Sequence, residues 1–304
     1  MPKNFDEATE GVFAELWREA CVKEYANLEQ HDVFTWVRPP PGAKMLQTTW
    51  AWRVKPDASG NVHKFKARIC GRGYLQRMGL HFVQCSSPVG KMTTFRILMS
   101  EAARRKMDWC FVDIQSAYLM SSPKIVQFSH PPPGVSPPEV GMVWRLDRSL
   151  YGLKDSGRSF HLLFRKDLLQ WGFKASEADP CLFIKRHKGE MIRVLLFVDD
   201  MAIFNDSTPE GRKMKKDFMG AIERKGYKYS NQADDNVYIG LTVKTVASTG
   251  QLVLTQDRYI GDLAAKHNLE DCGPVYVPAP GGSVSVSDCP EGDPKENKLA
   301  TPYR

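Results

Sequence analysis

The stretch Leu195-Leu196-Phe197-Val198-Asp199-Asp200-Met201-Ala202-Ile203-Phe204 sets two adjacent carboxylates between two short apolar runs. Each run is too short and too aliphatic for a free-standing helix, so the pattern predicts a tight β-hairpin with the acids at its tip. Asp is common in turns because its side chain hydrogen-bonds to the local backbone. Two like charges in a partly dry site repel each other, however, and a divalent cation such as Mg²⁺ would resolve that repulsion. An ordinary Asp-rich turn and a metal site both stay open until a third carboxylate is found.

A third carboxylate lies in an earlier apolar segment. The run Cys110-Phe111-Val112-Asp113-Ile114 is predicted to be a strand that Asp113 interrupts. An unpaired acid in an apolar strand is costly, so it indicates an ion pair or a bound metal. Carboxylates from neighbouring strands can hold two metal ions about 3.5–4 Å apart for in-line phosphoryl displacement. The pattern favours nucleotidyl transfer over glycoside hydrolysis, which needs two carboxylates facing across a sugar.

Composition is that of an ordinary globular protein. The chain has 304 residues, of which 42% are hydrophobic and 25% charged, and its net charge of +7 favours a polyanionic partner. That length suits one large domain or two. The seven cysteines are scattered and form no C-x-x-C pair, which predicts reduced thiols and argues against a zinc site. We find no signal peptide and no transmembrane segment in the sequence, so we expect a soluble intracellular protein.

Residues 48–54 and 62–70 are predicted to be two strands joined by a turn at 56–61. On the second strand Lys64, Lys66 and Arg68 alternate with period two and so share one face. That face is either an ordinary solvated surface or a cationic strand laid against a triphosphate or a nucleic-acid backbone.

Several helix starts and strand pairs are also predicted. Asn4 followed by Glu7 indicates a capping box for a first helix. Further helices are predicted with Thr93 or Thr94 and with Ser156 as their N-caps, and another is expected to start at Thr208-Pro209. Residues 237–243 and 251–255 are predicted to be paired strands, and residues 274–304 a linker or tail. Gly71-Arg72-Gly73 is not a dinucleotide fingerprint, because the third glycine would fall at Gln76.

The chain resembles the reverse transcriptase of copia-type LTR retrotransposons. The clearest matching segments are Val112-Asp113-Ile114-Gln115-Ser116-Ala117-Tyr118-Leu119, Ser149-Leu150-Tyr151-Gly152-Leu153-Lys154 and Phe197-Val198-Asp199-Asp200. Residues 14–20, 65–68, 87–89, 176–179, 238–240 and 254–260 match in the same order, and 302–304 resemble the opening of a further family segment. A single four-residue motif would be weak support, but so many in one order make the resemblance specific across nearly the whole chain.

The resemblance implies an α+β fold, a right-hand polymerase of fingers and palm with an antiparallel palm sheet and packed helices. It predicts a helical lead-in at 1–33 and the fingers and palm domain at 34–277. A flexible tail at 278–304 would lead toward a ribonuclease H region absent from this chain. The implied partners are an RNA or DNA template with its primer and deoxynucleoside triphosphates, with no membrane. The implied location is a cytoplasmic virus-like particle or the nucleus.

The resemblance also assigns the site. In that family the strand acid and the two hairpin acids bind two Mg²⁺ ions, with Mn²⁺ as an alternative; here these acids are Asp113, Asp199 and Asp200. Tyr118 would screen the 2′ position of the sugar, although an aromatic at that place is also explained by core packing. The remaining nucleotide-binding candidates are Lys66 and Arg68 for the triphosphate, and Tyr151, Gly152 and Lys154 for the nucleotide and template side.

The sequence departs from the family pattern in two places. Asp155-Ser156-Gly157-Arg158-Ser159-Phe160 stands where the family usually has Gln-Ser-Pro-Arg-Ala-Trp, and Met120-Ser121-Ser122 replaces a glycine-bearing turn. These changes suggest a divergent or decaying copy with an intact acid triad. The alternatives to an active polymerase are a catalytically inactive relic that keeps the fold and binds nucleic acid, and an unrelated metal-dependent phosphotransferase.

Overall fold

The computed structural model describes residues 1–56, 62–231, 236–246 and 248–273, and the chain divides into two compact units, Met1–Gln256 and Asp257–Arg304. The described helices are α1 (Phe5–Glu10), α2 (Ala14–Gln30), α3 (Met92–Arg105), α4 (Ser156–Gln170), α5 (Pro209–Arg224) and, in the second unit, α6 (Asp257–Lys266). The described strands are β1 (Phe34–Val37), β2 (Met45–Pro56), β3 (Val62–Gly71), β4 (Asp108–Ile114), β5 (Gln127–His130), β6 (Val143–Leu146), β7 (Lys174–Ala175), β8 (Leu182–His187), β9 (Glu190–Phe197), β10 (Asp200–Asn205), β11 (Tyr229–Asn231), β12 (Val237–Tyr238), β13 (Leu241–Thr245) and β14 (Leu252–Thr255). The predicted mixed α+β class is confirmed.

The strands form three sheets. The N-terminal sheet has the order β1-β6-β5-β2-β3, and all its neighbours are antiparallel except β2 and β5. The central sheet has the order β11-β4-β10-β9-β8-β7 and is antiparallel throughout. A small sheet of β12, β13 and β14 follows. The predicted pairing of residues 48–54 with 62–70 is confirmed as β2 with β3, while turn residues 57–61 lie outside the described residues.

The main core surrounds the central sheet. Strands β9 and β10 carry almost uninterrupted apolar side chains, and both are buried because helices and loops cover the sheet. Phe111 of β4 and Phe204 of β10 join Phe95 of α3 and Phe164 of α4 in this core. Each such burial contributes about 1.5–3 kcal/mol relative to an exposed side chain. The end of the central sheet that carries the acids is therefore built on a rigid base.

A second core joins helix α2 to the N-terminal sheet. The ring of Trp17 packs edge-to-face on Phe65 of β3 and on Trp52 of β2, with centroid distances of 4.7 and 5.2 Å. Aromatic pairs in this geometry add to the stabilisation that burial alone provides. These contacts hold α2 along β3, the edge strand that carries the alternating cations.

Two of the predicted helix starts are confirmed. The Asn4 side chain accepts a hydrogen bond of 2.8 Å from the backbone N–H of Glu7 at the start of α1. At the start of α5, the Thr208 hydroxyl accepts one of 3.0 Å from the backbone N–H of Gly211, and Pro209 lies in the first turn. Both side chains satisfy N–H groups that a helix leaves without intrahelical partners.

The other two predicted caps are wrong. Helix α3 has Lys91 at its N-cap position, and neither Thr93 nor Thr94 caps it. Ser156 is the first residue of α4, and its hydroxyl donates to the carbonyl of Leu150 instead of capping the helix. At α3 a residue far along the chain supplies the polar partner, which local sequence patterns do not reveal.

The partner at the start of α3 is Asp179, which is only 1% exposed. Its carboxylate accepts hydrogen bonds from the backbone N–H groups of Lys91 and Cys181, both at 3.0 Å, and from the Thr94 hydroxyl at 2.6 Å. Burial works to raise the pKa of Asp179, but these hydrogen bonds to its charged form outweigh burial and hold the pKa below its ordinary value. Asp179 therefore caps α3 from a distant part of the chain.

Asp179→Ala is expected to destabilise the protein by about 2–4 kcal/mol, because it leaves buried N–H groups without partners. The folded-state pKa is lowered, so the stabilisation is complete above the unfolded-state pKa of about 3.9 and is lost as pH falls through the folded-state value. Urea unfolding between neutral pH and pH 3 measures both effects. The exposed acid Asp217 provides the matched control Asp217→Ala. An Asp179→Ala protein as stable as the control would contradict the assignment.

The predicted strand 237–243 is wrong as a single strand. It divides into β12 and β13, because Ile239 and Gly240 both have positive φ angles, 50° and 75°, and turn the chain back on itself. Strand β13 then pairs with β14 as predicted. The predicted tail at 274–304 lies outside the described residues.

Two predictions from composition can be compared with the described residues. All six cysteines in that part of the chain are free thiols, while Cys289 lies beyond it. No described helix is both long and apolar enough to cross a membrane.

Candidate active site

The acid pair lies at the tip of the predicted hairpin, which is confirmed as β9 and β10. Phe197 and Asp200 are the last paired residues, so Val198-Asp199 is a two-residue turn. Val198 has a φ angle of 62° at the first turn position, where glycine is usual in a type II′ hairpin turn. A β-branched residue is sterically strained there. Strain of this kind is typical of turns held by a functional constraint, and here it adjoins the acids.

Strand β4 brings the third acid to the same place. Asp113 lies directly opposite Asp200 in the pairing of β4 with β10. The backbone N–H of Ile114 donates to the carbonyl of Asp199 at 2.9 Å, which holds the turn against the end of β4. On the other side of β4, Ser230 of β11 lies opposite Asp113, with its Oγ 3.5 Å from Asp113 Oδ2. Acids from two distant segments thus meet at one end of the central sheet.

A cavity of about 440 Å³ adjoins these acids. Asp113 and Asp199 form part of its lining, whereas Asp200 does not. The three alternating cations of β3, namely Lys64, Lys66 and Arg68, form another part. The cavity therefore brings these two aspartates and the three cations of β3 around one space, together with Lys23 and Glu24 of helix α2. Its remaining lining comes from other residues of helix α2, from Ile114 and the two residues after it, and from Phe65, Ala67, Tyr151 and Ser230.

Asp113 and Asp199 interact electrostatically. Burial raises the pKa of Asp199 above its ordinary value, and the negative charge of Asp113 raises it further, while Arg68 acts in the opposite direction. A cation bound beside both carboxylates would remove this repulsion. The charge of Asp200 acts on a different residue, Tyr238, whose pKa is raised by burial and further by that charge. Tyr238 is a core residue, and its ring stacks on Phe111.

Two tyrosines connect the acids to the cations. The rings of Tyr118 and Tyr151 meet edge to face with centroids 5.6 Å apart, and the guanidinium of Arg68 lies 5.1 Å from the centroid of Tyr151. Burial raises the pKa of Tyr151 to about 12, and burial followed by the charge of Asp199 raises that of Tyr118. Both phenols are therefore neutral at physiological pH. Tyr118 is half-buried and lies beside the cavity, without forming its wall.

Gly152 and Lys154 lie away from the cavity lining. Gly152 has a φ of 79°, and a Cβ there would lie 2.5 Å from the carbonyl oxygen of Gly71, so only glycine fits. The backbone N–H of Lys154 donates to Oε1 of Gln76 at 2.6 Å, and its Nζ donates to the carbonyl of Gln76 at 3.1 Å. Gly152 thus lies against the end of β3, and Lys154 ties the segment before α4 to the chain that follows β3.

Asp113 and Asp199 are the two aspartates that this cavity offers as ligands to a Mg²⁺ ion. Among the described residues, no three His, Cys, Asp or Glu side chains are arranged so that they could together hold a metal ion. Mg²⁺ is commonly held by only one or two carboxylates, with waters and substrate phosphates completing its shell. Asp113 and Asp199, as hard oxygen donors on one cavity, meet that smaller requirement.

Several residues of the cavity lining were not predicted from the sequence, and three of them bear on its chemistry. Glu24 of α2, Ser116 after β4 and Ser230 of β11 all line the cavity. Glu24 follows Trp17 and Cys21 and precedes Leu28 on the buried stripe of α2, so an acid at helical spacing inside an apolar stripe was the available signal. The two serines carry no comparable signal, because their position depends on the pairing of strands far apart in sequence.

Comparison with known proteins agrees with this architecture. Residues 31–280 match the sequence profile of the family described as Reverse transcriptase (RNA-dependent DNA polymerase). The Pol polyprotein from transposon TNT 1-94 of Nicotiana tabacum is 28% identical over 94% of this chain and 21% of its own length. Those from transposons RE2 and RE1 of Arabidopsis thaliana are 30% and 31% identical over 89% and 92% of this chain, and 18% and 19% of their own lengths.

All three relatives are retrovirus-related Pol polyproteins of transposons, and this chain spans about a fifth of their length. The matched segment contains every strand of the central sheet, and with them Asp113 and Asp199. The chain therefore belongs to the reverse transcriptase family, as a domain of the kind found in copia-type retrotransposon Pol polyproteins.

Proposed function

We propose that this chain is an RNA-directed DNA polymerase, which adds deoxynucleotides to a primer in the order set by a template. One observation carries the proposal: Asp113 and Asp199 share a cavity with Lys64, Lys66 and Arg68. Carboxylates can hold divalent cations, and a row of cations can neutralise a triphosphate, so one space contains what nucleotidyl transfer requires. A right-hand arrangement is part of the proposal, with the central sheet as palm and the N-terminal sheet as fingers.

Asp113 and Asp199 are the residues proposed to hold Mg²⁺, or Mn²⁺ in its place. Bound there, the metal would make the primer hydroxyl a better nucleophile and stabilise the leaving oxygen. Asp200 is proposed to contribute less directly, because it lies opposite Asp113 in the sheet but outside the cavity lining. A second metal ion is also proposed at this site. Phosphate oxygens of the substrate would complete its coordination shell.

The remaining side chains are proposed to select and position the nucleotide. Lys66 and Arg68 would meet its phosphates, and Tyr151 would keep Arg68 in place through the contact of guanidinium and ring. Tyr118 would lie against the sugar. Gly152 and Lys154 would act indirectly, because their contacts fix the start of α4 against the segment after β3.

A template and its primer are the proposed polyanionic partners. Their binding to the parental chain, with its net charge of +7, should weaken by about tenfold or more over a fourfold rise in salt, because phosphate contacts release counterions. The double variant Lys66→Gln/Arg68→Gln should lower nucleotide use much more than duplex binding. Fluorescence anisotropy measures duplex binding, and the concentration dependence of extension measures nucleotide use. If the double variant loses nucleotide use and duplex binding equally, or loses neither, then β3 does not contact the triphosphate.

Primer extension on RNA and DNA templates with Mg²⁺ tests the proposal. The parental chain should extend the primer with deoxynucleotides, and a chelator should stop it. Binding of the duplex without any extension in Mg²⁺ or Mn²⁺ would favour the inactive relic. Transfer of phosphate without a template would favour the unrelated phosphotransferase.

A further inference from the structure

Helix α2 lies entirely before the segment that matches the family profile, yet it supplies part of the cavity lining. Glu15, Glu19 and Glu29 of this helix are exposed. Glu24 differs from them, since it is only 8% exposed and lines the same cavity as Asp113. A buried acid on an otherwise conventional amphipathic helix requires a compensating partner.

The first partner of Glu24 is the backbone of strand β3. Its Oε1 accepts a hydrogen bond of 3.2 Å from the buried N–H of Ile69. Strand β3 is the edge of the N-terminal sheet, so its outward N–H groups need partners from outside the sheet, as the N–H of Gly71 has in the carbonyl of Tyr151 at 2.7 Å. Glu24 therefore fixes α2 to this edge at the level of the cavity.

The second partner is the pair of cations on the same strand. Burial raises the pKa of Glu24, whereas the hydrogen bond from Ile69 and the charges of Lys66 and Arg68 favour its ionised form. Lys64, Lys66 and Arg68 share one face of β3 and repel one another. A carboxylate fixed between the helix and this strand offsets that repulsion and restricts where the cations lie.

We propose that Glu24 is a positioning residue that holds Lys66 and Arg68 where they meet the phosphates of a nucleoside triphosphate. Helix α2 would then form part of the nucleotide site instead of serving only as a lead-in to it. This inference rests on the proposed function of the cavity. The simpler explanation is that Glu24 only satisfies the edge N–H of Ile69, and the two explanations predict different outcomes for two conservative variants.

Glu24→Gln keeps an oxygen for the N–H of Ile69 and removes the charge. It is expected to raise KM for the complementary deoxynucleotide by about tenfold, as for loss of a charged partner, with little change in kcat. Glu24→Asp keeps the charge on a shorter side chain and should give a smaller rise above the parental KM. The matched control is Glu15→Gln, which makes the same change in net charge at an exposed site paired with Arg18. It should leave KM unchanged.

The closing experiment measures two quantities on the full chain and these variants. One is KM in primer extension, and the other is the dissociation constant of dTTP opposite a template adenine on a dideoxy-terminated primer, which needs no catalysis. The double variant Glu24→Gln/Lys66→Gln should lose less free energy of dTTP binding than the sum of the losses in the two single variants, because Glu24 acts through Lys66.

The outcomes separate this inference from the proposed function. If the parental chain extends primers and both Glu24 variants keep the parental KM and dissociation constant, the positioning role is wrong and the polymerase stands. If the parental chain binds dTTP without extending primers and Glu24→Gln weakens that binding, the positioning role stands and the polymerase proposal fails. A parental chain that binds no dTTP would overturn both.

Discussion

Asp113→Asn and Asp199→Asn are each expected to lower the rate of primer extension in Mg²⁺ by about a thousandfold or more, since a lost metal ligand costs several kcal/mol of transition-state stabilisation. Both side chains line the cavity, and amide oxygens are much weaker ligands for Mg²⁺ than carboxylates. Single-nucleotide addition under conditions where all primer is bound measures the effect. Asp200→Asn should have a smaller effect, because Asp200 lies outside the cavity lining.

Two control measurements accompany these variants, one of stability and one of activity. Asp113→Asn removes the charge that helps to raise the pKa of Asp199, so that pKa should fall, and the folded protein should be no less stable than the parent. Asp217→Asn, on the exposed face of α5, should extend primers at the parental rate. Addition by Asp113→Asn or Asp199→Asn at the parental rate would show that these carboxylates do not take part in the reaction.

Tyr118→Ala is expected to let ribonucleotides compete with deoxynucleotides while deoxynucleotide addition continues at reduced efficiency. The ring of Tyr118 is near enough to Asp199 for that charge to raise its pKa, so it lies beside the proposed reaction site. It is braced by Tyr151 at 5.6 Å, and a bulky ring held there would clash with a 2′-hydroxyl. Exclusion of this kind needs no hydrogen bond, so Tyr118→Phe should keep the parental sugar preference and is the matched control.

Core packing is the competing explanation for Tyr118. Truncating a fully buried aromatic costs about 3–5 kcal/mol. Tyr118 is half-buried, so its truncation should cost less than that range. Thermal unfolding measured beside the ratio of ribonucleotide to deoxynucleotide addition separates the two roles. A destabilised Tyr118→Ala protein with unchanged sugar preference would end the proposal that this ring selects the sugar.

The hairpin, the strand that carries Asp113 and the shared face of Lys66 and Arg68 were all predictable from local pattern. Short apolar runs around an acid pair determine a strand-turn-strand unit, and alternation with period two determines a face. The sequence did not distinguish Asp199 from Asp200. Their difference depends on the register of β9 with β10, which puts Asp199 in the turn and Asp200 in the last strand pair.

The other features that the sequence did not predict are contacts between distant segments of the chain. Thr94 was predicted to cap its own helix, but its hydroxyl instead donates to Asp179, which supplies the cap from far along the chain. Glu24 lies within the predicted helical lead-in and was not singled out from the sequence, although it bonds to the edge of a sheet. Local propensity contains no information on which distant strand will lie beside a given helix face, so such partners became visible only in the folded chain.

The most direct measurement is of nucleotide addition by the parental chain on a primed RNA template of defined sequence, with Mg²⁺ and one deoxynucleoside triphosphate at a time. Only the nucleotide complementary to the next template base should be added. Changing that base should change the nucleotide added, and Asp113→Asn purified in parallel should add almost none. Addition that ignores the template base, or equal addition by Asp113→Asn, would contradict template-directed polymerisation at these carboxylates.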